Sequence, residues 1–231
     1  MRTIYNGILD ILFPGICACC CSPLAEGTHQ ICGYCIKNKF ELTDKYLGIR
    51  DDDILPEYIA FRTSMWEFDQ SGPIQQLMHK LKYEQVYGLG IDFGKELGKL
   101  LRTLLGMQGW LFCYQPFLIP VPLNTLRRRE RGFNQSRAIC EGIEQVTGWS
   151  TVPQRAFTRI KKTKTQTGLS SAERKNNLRG AFKANNLNIL PYELPVIVDD
   201  VYTTGATTME LASTVKHIGA ERIGIATVAE A

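Results

Sequence analysis

No apolar run in the 231-residue chain approaches the ~20 residues that a membrane-spanning helix needs. One apolar patch, Ile8 to Phe13, sits near the start, but Asp10 interrupts it and no small-residue cleavage site follows. It does not read as a secretory signal, so a cytoplasmic protein is expected. Without an export signal, eight cysteines favour reduced thiols or bound metal over disulfides. Aromatics are scarce where positive charge is densest: few, among them Phe133, Phe157 and Phe182, interleave the basic middle of the chain, weak support for a base-stacking platform.

The formal net charge of +4 conceals an asymmetry. Between Val121 and Lys183 there are 14 basic and 4 acidic residues, whereas the remainder carries 13 basic and 19 acidic. A basic middle of this kind points to polyanionic ligands.

The most informative stretch is Leu194 to Met209, Leu-Pro-Val-Ile-Val-Asp-Asp-Val-Tyr-Thr-Thr-Gly-Ala-Thr-Thr-Met. Its β-branched run, Val196 to Val198, suits a buried parallel strand that ends on Asp199 and Asp200. A small-residue turn, Thr203 to Thr208, then leads into an amphipathic helix bearing Met209, Leu211, Ala212, Val215 and Ile218. Gly and Thr leave backbone N–H groups bare, add hydroxyls and aim a helix N-terminus upward, which makes a phosphate cradle. Two carboxylates beside that cradle would repel phosphate alone. They fit a ligand that also presents sugar hydroxyls or a metal.

Upstream, residues 1–14 read as an amphipathic helix stopped by Pro14-Gly15. Residues 37–57 read as a linker, and Tyr58 to Phe68 as strands or a hairpin. Helices are expected from Pro73 to Tyr83 and from about Tyr87 to Leu105, with His79 on the surface. Phe117 to Pro122 reads as a short strand that opens into an Arg-rich loop, Arg127, Arg128, Arg129 and Arg131, before a helix from Asn134 to Thr147. Arginine forks grip phosphate bidentately, so this loop is a second anion site. Arg155 to Phe182 reads as a mobile basic lid. Cys113 and Cys140 read as core thiols.

Two Cys-x-x-Cys pairs, Cys17/Cys20 and Cys32/Cys35, match a four-cysteine zinc site closed to catalysis. With Cys19 and Cys21 alongside, the spacing leaves open which of these four supply the first two ligands.

The strand, Asp-Asp, x₂, Thr-Thr-Gly-x-Thr pattern resembles the ribose-5-phosphate loop of type I phosphoribosyltransferases. Further stretches are the paired cysteines, Pro120-Val-Pro-Leu123, Arg131-Gly-Phe-Asn-Gln135, Gln166-x₂-Leu169, Arg174-x₂-Asn177, Gly180-Ala-Phe182 and Val198 to Thr207. Together they make the chain resemble the ComF/GntX family from about residue 17 onward, although its cysteine set is more compact than in many relatives.

That resemblance implies an α/β fold: a type I phosphoribosyltransferase-like, open and mostly parallel sheet with helices on both faces. A small zinc-ribbon element would occupy residues 1–50 and the phosphoribosyltransferase-like domain residues 51–231. It also implies a role in natural competence and DNA utilisation. Thr203, Thr204, Gly205, Ala206 and Thr207 would hold the 5-phosphate of phosphoribosyl pyrophosphate (PRPP). Asp199 and Asp200 would be the catalytic pair, addressing the ribose hydroxyls and magnesium, and Arg127, Arg128, Arg129 and Arg131 would face pyrophosphate or nucleic-acid phosphate. Partners implied are PRPP, single-stranded DNA and competence proteins such as a DNA helicase. No base-reading hood and no dedicated acid or base residue is identifiable. A PRPP-dependent transferase of nucleobase or nucleotide salvage therefore stands beside a phosphoribosyl-binding module.

Overall fold

A computed structural model of the chain describes residues 15–24, 30–44, 55–161, 180–185 and 187–231. The expected N-terminal helix, most of the basic lid, and the Gln166 and Arg174 motifs lie outside the described residues.

The elements in chain order are α1 (Gly33–Asn38), β1 (Ile59–Glu67), α2 (Pro73–Tyr83), α3 (Tyr87–Met107), α4 (Trp110–Cys113), β2 (Gln115–Pro120), α5 (Thr125–Arg131), α6 (Gln135–Thr147), β3 (Phe157–Arg159), β4 (Phe182–Ala184), β5 (Glu193–Tyr202), α7 (Ala206–His217) and β6 (Ile223–Glu230). Four strands form an open parallel sheet in the order β1-β6-β5-β2, while β3 and β4 pair as a separate antiparallel hairpin. This is the expected α/β architecture.

Successive side chains on a strand face opposite sides, and β5 uses both. Leu194, Val196 and Val198 enter one core with Leu77 and Leu81 of α2, Leu97 and Leu101 of α3, and Ile139 and Ile143 of α6. Ile197 enters the other with Leu211, Ala212 and Val215 of α7 and with Phe157 and Phe182 of the hairpin. A continuous apolar run is what a strand covered on both faces requires.

Helices α3 and α6 cross with almost no side-chain spacer. A Cβ on Gly94 would lie 2.0 Å from the Ile139 carbonyl oxygen, and one on Gly142 would lie 2.1 Å from that of Ile91. Only glycine permits this backbone approach, and it delivers the first turn of α6 to the end of β5.

Several local expectations change. The acidic doublet does not terminate its strand: β5 pairs with β6 through Asp199↔Thr227, Val201↔Ala229 and Tyr202↔Glu230. Ladder hydrogen bonds continue because β6 offers partners beyond the carboxylates. The Arg-rich "loop" is largely the helix α5, capped by Asn124, whose Oδ1 accepts from the Arg127 N–H at 2.8 Å. Tyr58 to Phe68 contains one strand, and its edge is covered from the segment read as a linker. There Thr43 N–H donates to the Met65 carbonyl at 3.1 Å and Leu42 bridges Trp66. Cys140 is buried as expected, but Cys113 is exposed at the end of the short α4.

The described part of the cysteine-bearing segment shares the main core. Cys17, Ile31, Cys35 and Phe40 are buried with Trp66, Met78 and Phe93. Asp92 of α3, itself buried, accepts from the backbone N–H groups of Gln30 and Ile31, and Lys80 of α2 donates to the Ala18 carbonyl at 3.0 Å.

Candidate functional site

The C-terminal ends of β2 and β5 open onto a cleft of about 270 Å³, the position where open α/β sheets bind ligands. Its floor is the β5–α7 connection. Gly205 is the N-cap of α7 with φ +67°, and no side chain caps the helix there. The left-handed turn suits glycine, and space reinforces it: a Cβ would lie 2.1 Å from the Tyr202 hydroxyl oxygen. Tyr202 in turn lies under the Arg62 guanidinium, 4.3 Å from ring centroid to Cζ, and Arg62 is paired with Glu230 at 2.9 Å. The turn is thereby braced from below. Thr208 is already committed, its hydroxyl donating to the Gly205 carbonyl at 3.0 Å. Thr203, Thr204, Gly205, Ala206 and Thr207 all line the cleft. The first N–H groups of α7 lack intrahelical partners and carry the positive end of the helix dipole.

Asp199 and Asp200 line the same cleft but sit in different electrostatic surroundings. Asp199 Oδ1 accepts from the Ser136 hydroxyl at 2.9 Å and from the Asp200 N–H at 3.0 Å. Burial, and then the neighbouring Asp200 charge, push its pKa up to about 7 despite those bonds. Burial also acts to raise Asp200, but Lys82, through its charge and its hydrogen bond, with Arg131 further off, carries it below the usual carboxylate range. The Lys82 Nζ lies 2.7 Å from Asp200 Oδ2. The site thus holds one carboxyl poised to keep its proton near neutrality and one held ionised.

Of the four arginines expected to face pyrophosphate, Arg127 and Arg131 line this cleft. Arg131 is oriented by a bond from Nη1 to Gln135 Oε1 at 3.0 Å. Arg128 faces a neighbouring cleft, and Arg129 is exposed and lines neither. The division follows from helical geometry, since residues 127 and 131 share one face of α5 and 128 and 129 do not.

Two further residues line the cleft without having been individually singled out from sequence, Lys82 from α2 and Arg159 from the hairpin. Ser136, buried in the first turn of α6, joins the site through its bond to Asp199. Ser136 is placed by Asn134, whose Oδ1 accepts from the Ser136 N–H at 3.1 Å and whose Nδ2 donates to the Val121 carbonyl at 3.0 Å.

The Sγ atoms of Cys17, Cys20, Cys32 and Cys35 lie within 4.8 Å of one another. Cys17 and Cys35 are 3.9 Å apart, and Cys20 and Cys32 are 3.7 Å apart. Tetrahedral zinc with Zn–S bonds of ~2.3 Å implies S···S separations of about 3.8 Å, so the donor set fits that ion. The Cys32 N–H donates to Cys17 Sγ at 3.3 Å, a bond that favours a thiolate. Cys19, half-buried, and Cys21, exposed, are not part of this cluster. None of the described helices is long and apolar enough to cross a membrane.

No family model matches the chain. Among curated proteins it is 38% identical to competence protein F of Haemophilus influenzae, covering 95% of this chain and 92% of that protein. It is 30% identical to DNA utilization protein YhgH of Escherichia coli K12, over 92% of this chain and 95% of that protein. Competence protein ComFC of Bacillus subtilis matches over a shorter segment, 35% identical across 39% of this chain and 34% of that protein. Near-full-length identity at this level shows that the chain belongs to the ComF/GntX family.

Proposed function

We propose that the chain acts in the uptake or utilisation of DNA and binds a phosphoribosyl ligand, PRPP or a close analogue, in the cleft above the β5–α7 turn. The first half rests on relatives named for competence and DNA utilization. The observation carrying the second is the uncapped start of α7 at Gly205, facing one cleft with Asp199 and Asp200. In this reading residues 51–231 form the ligand-binding domain and residues 1–50 a zinc-stapled element.

The 5-phosphate sits on the N–H groups of Gly205, Ala206 and Thr207 and the hydroxyls of Thr203, Thr204 and Thr207. Asp200, ionised, accepts from a ribose hydroxyl. Asp199, which holds or releases a proton near neutrality, either donates to or accepts from the next one. Arg127 and Arg131 draw the pyrophosphate group to the opposite wall. Magnesium, when bound at Asp199 and Asp200, would offset charge on the pyrophosphate and ribose oxygens. Because pyrophosphate departs as an anion, positioning and charge neutralisation suffice for transfer.

A transferase and a binding module separate on one assay. PRPP- and magnesium-dependent pyrophosphate release identifies a transferase. PRPP binding without release identifies a module, with single-stranded DNA and competence proteins as its partners. Absence of PRPP binding overturns both.

A further inference from the structure

Behind the main cleft lies a second one of similar size, about 280 Å³, which shares Pro122, Leu123 and Arg159 with it. We propose that this second cleft binds the phosphomonoester group of a nucleotide, so that the partner ligand of the phosphoribosyl site is a phosphorylated nucleoside rather than a free base. The proposal rests on the phosphoribosyl reading of the main cleft.

Arg128 of α5, Arg155 of the turn before β3 and Arg159 of β3 line this cleft, and no Asp or Glu is among its described lining residues. In the main cleft Arg127 and Arg131 are offset by Asp199 and Asp200, and Arg159, which both clefts share, is within the influence of Asp199 as well. Arg128 and Arg155 bring two positive charges to a cavity with no acid among its described lining residues, and a phosphomonoester brings close to two negative charges. The arrangement is built rather than splayed. With its amide turned to satisfy its neighbours, Gln154 Oε1 accepts from both Nη1 and Nη2 of Arg128 at 3.0 Å, fixing that fork. The backbone of Arg155 is held too, its carbonyl accepting from Asn185 Nδ2 at 2.8 Å. Burial and the charge of Arg127 lower the pKa of Arg159 while Asp199 acts the other way, which links the two clefts electrostatically. Leu123 and Phe157 supply the apolar wall against which a nucleoside would lie. Small-ligand sites commonly combine such a wall with a few converging polar groups.

The test is calorimetric titration of the full chain with thymidine monophosphate, with and without saturating ribose 5-phosphate. The proposal expects thymidine monophosphate to bind in both conditions and unphosphorylated thymidine to bind at least about tenfold more weakly. The double variant Arg128→Gln/Arg155→Gln should weaken the nucleotide by about tenfold or more while changing ribose 5-phosphate affinity by less than about twofold. Both side chains are exposed or lie outside the main cleft, so the variant should melt like the parent. Competition between the two ligands, equal affinity for thymidine, or an unchanged nucleotide affinity in the variant would each overturn the proposal. If ribose 5-phosphate fails to bind while the nucleotide still depends on Arg128 and Arg155, the phosphoribosyl reading falls and the second cleft stands. A terminally phosphorylated thymidine oligonucleotide binding more tightly than the mononucleotide, through the same arginines, would identify a strand end as the source of the phosphate.

Discussion

Lys82 and Asp200 stand 118 positions apart in the chain, and their charged ends meet at 2.7 Å on the wall of the cleft. The pair ties α2 to the end of β5 and decides which member of the acidic doublet carries charge. Because Lys82 holds Asp200 ionised, the cost of crowding two carboxylates falls on Asp199.

Removing that lysine should therefore redistribute charge. Lys82→Gln is expected to destabilise the fold by about 1.5–3 kcal/mol at neutral pH, typical for a charged hydrogen bond whose partner stays behind. Asp200 has a depressed pKa when folded, so its contribution is present above the unfolded carboxylate range and is lost as pH falls through the folded value. Melting curves of the variant should accordingly show a shallower acid-side loss than the parent. An identical acid limb would show that Lys82 does not set the charge of Asp200.

Asp199 should give the opposite slope. Its folded pKa of about 7 lies above that of the unfolded carboxyl, so between about pH 4 and pH 7 the native state holds the extra proton. Stability should fall as pH rises through this window. Asp199→Asn should flatten that segment of the stability curve and raise stability at pH 8. Denaturant midpoints across the window measure it, and parallel profiles for parent and variant would refute the assignment.

The α3–α6 crossing predicts a contrast between two glycines of one helix. Gly94→Ala forces a Cβ onto the Ile139 carbonyl and should cost at least about 1–3 kcal/mol, with some displacement of Ser136. Gly106→Ala meets nothing within 4 Å in α3 and should stabilise by about 0.5–1 kcal/mol. Thermal melts decide this. Equal effects would mean that the backbone approach is not tight.

Much of this site was legible in the sequence because its key groups are contiguous. The apolar run Val196–Val198, the acids, and the glycine-threonine turn follow one another along β5 and into α7. Local chemistry there dictates local shape, and the cysteine spacing is informative for the same reason. Lys82 was not legible, because nothing near it in sequence points to a ligand. Ser136 and Arg159 adjoin or fall within stretches read as anion-binding, but take their individual places only through packing. Lys82 sits on an ordinary amphipathic helix, and it reaches Asp200 only because α2 packs where it does. Arg127 and Arg128 look equivalent as neighbours in a basic run, yet a helical turn sends them to different clefts. Extension of β5 beyond the doublet was hidden too, since it depends on partners supplied by β6.

Zinc should be structural. Metal analysis is expected to find one zinc per chain, and chelation should lower the melting temperature, because Cys17 and Cys35 are part of the main core. Cys35→Ser should lose the metal, while Cys21→Ser should retain it. Full zinc content in the former or an unchanged melt on chelation would contradict this.

The central claim is that the glycine-threonine turn and the acidic doublet together hold a phosphoribosyl group. Isothermal titration of PRPP with magnesium into the parent and into Asp199→Asn/Asp200→Asn tests it most directly. The account predicts one site per chain in the parent and a loss of about tenfold or more in affinity for the variant, with its fold intact by circular dichroism. Equal affinity in the two proteins, or no binding to the parent, would contradict it.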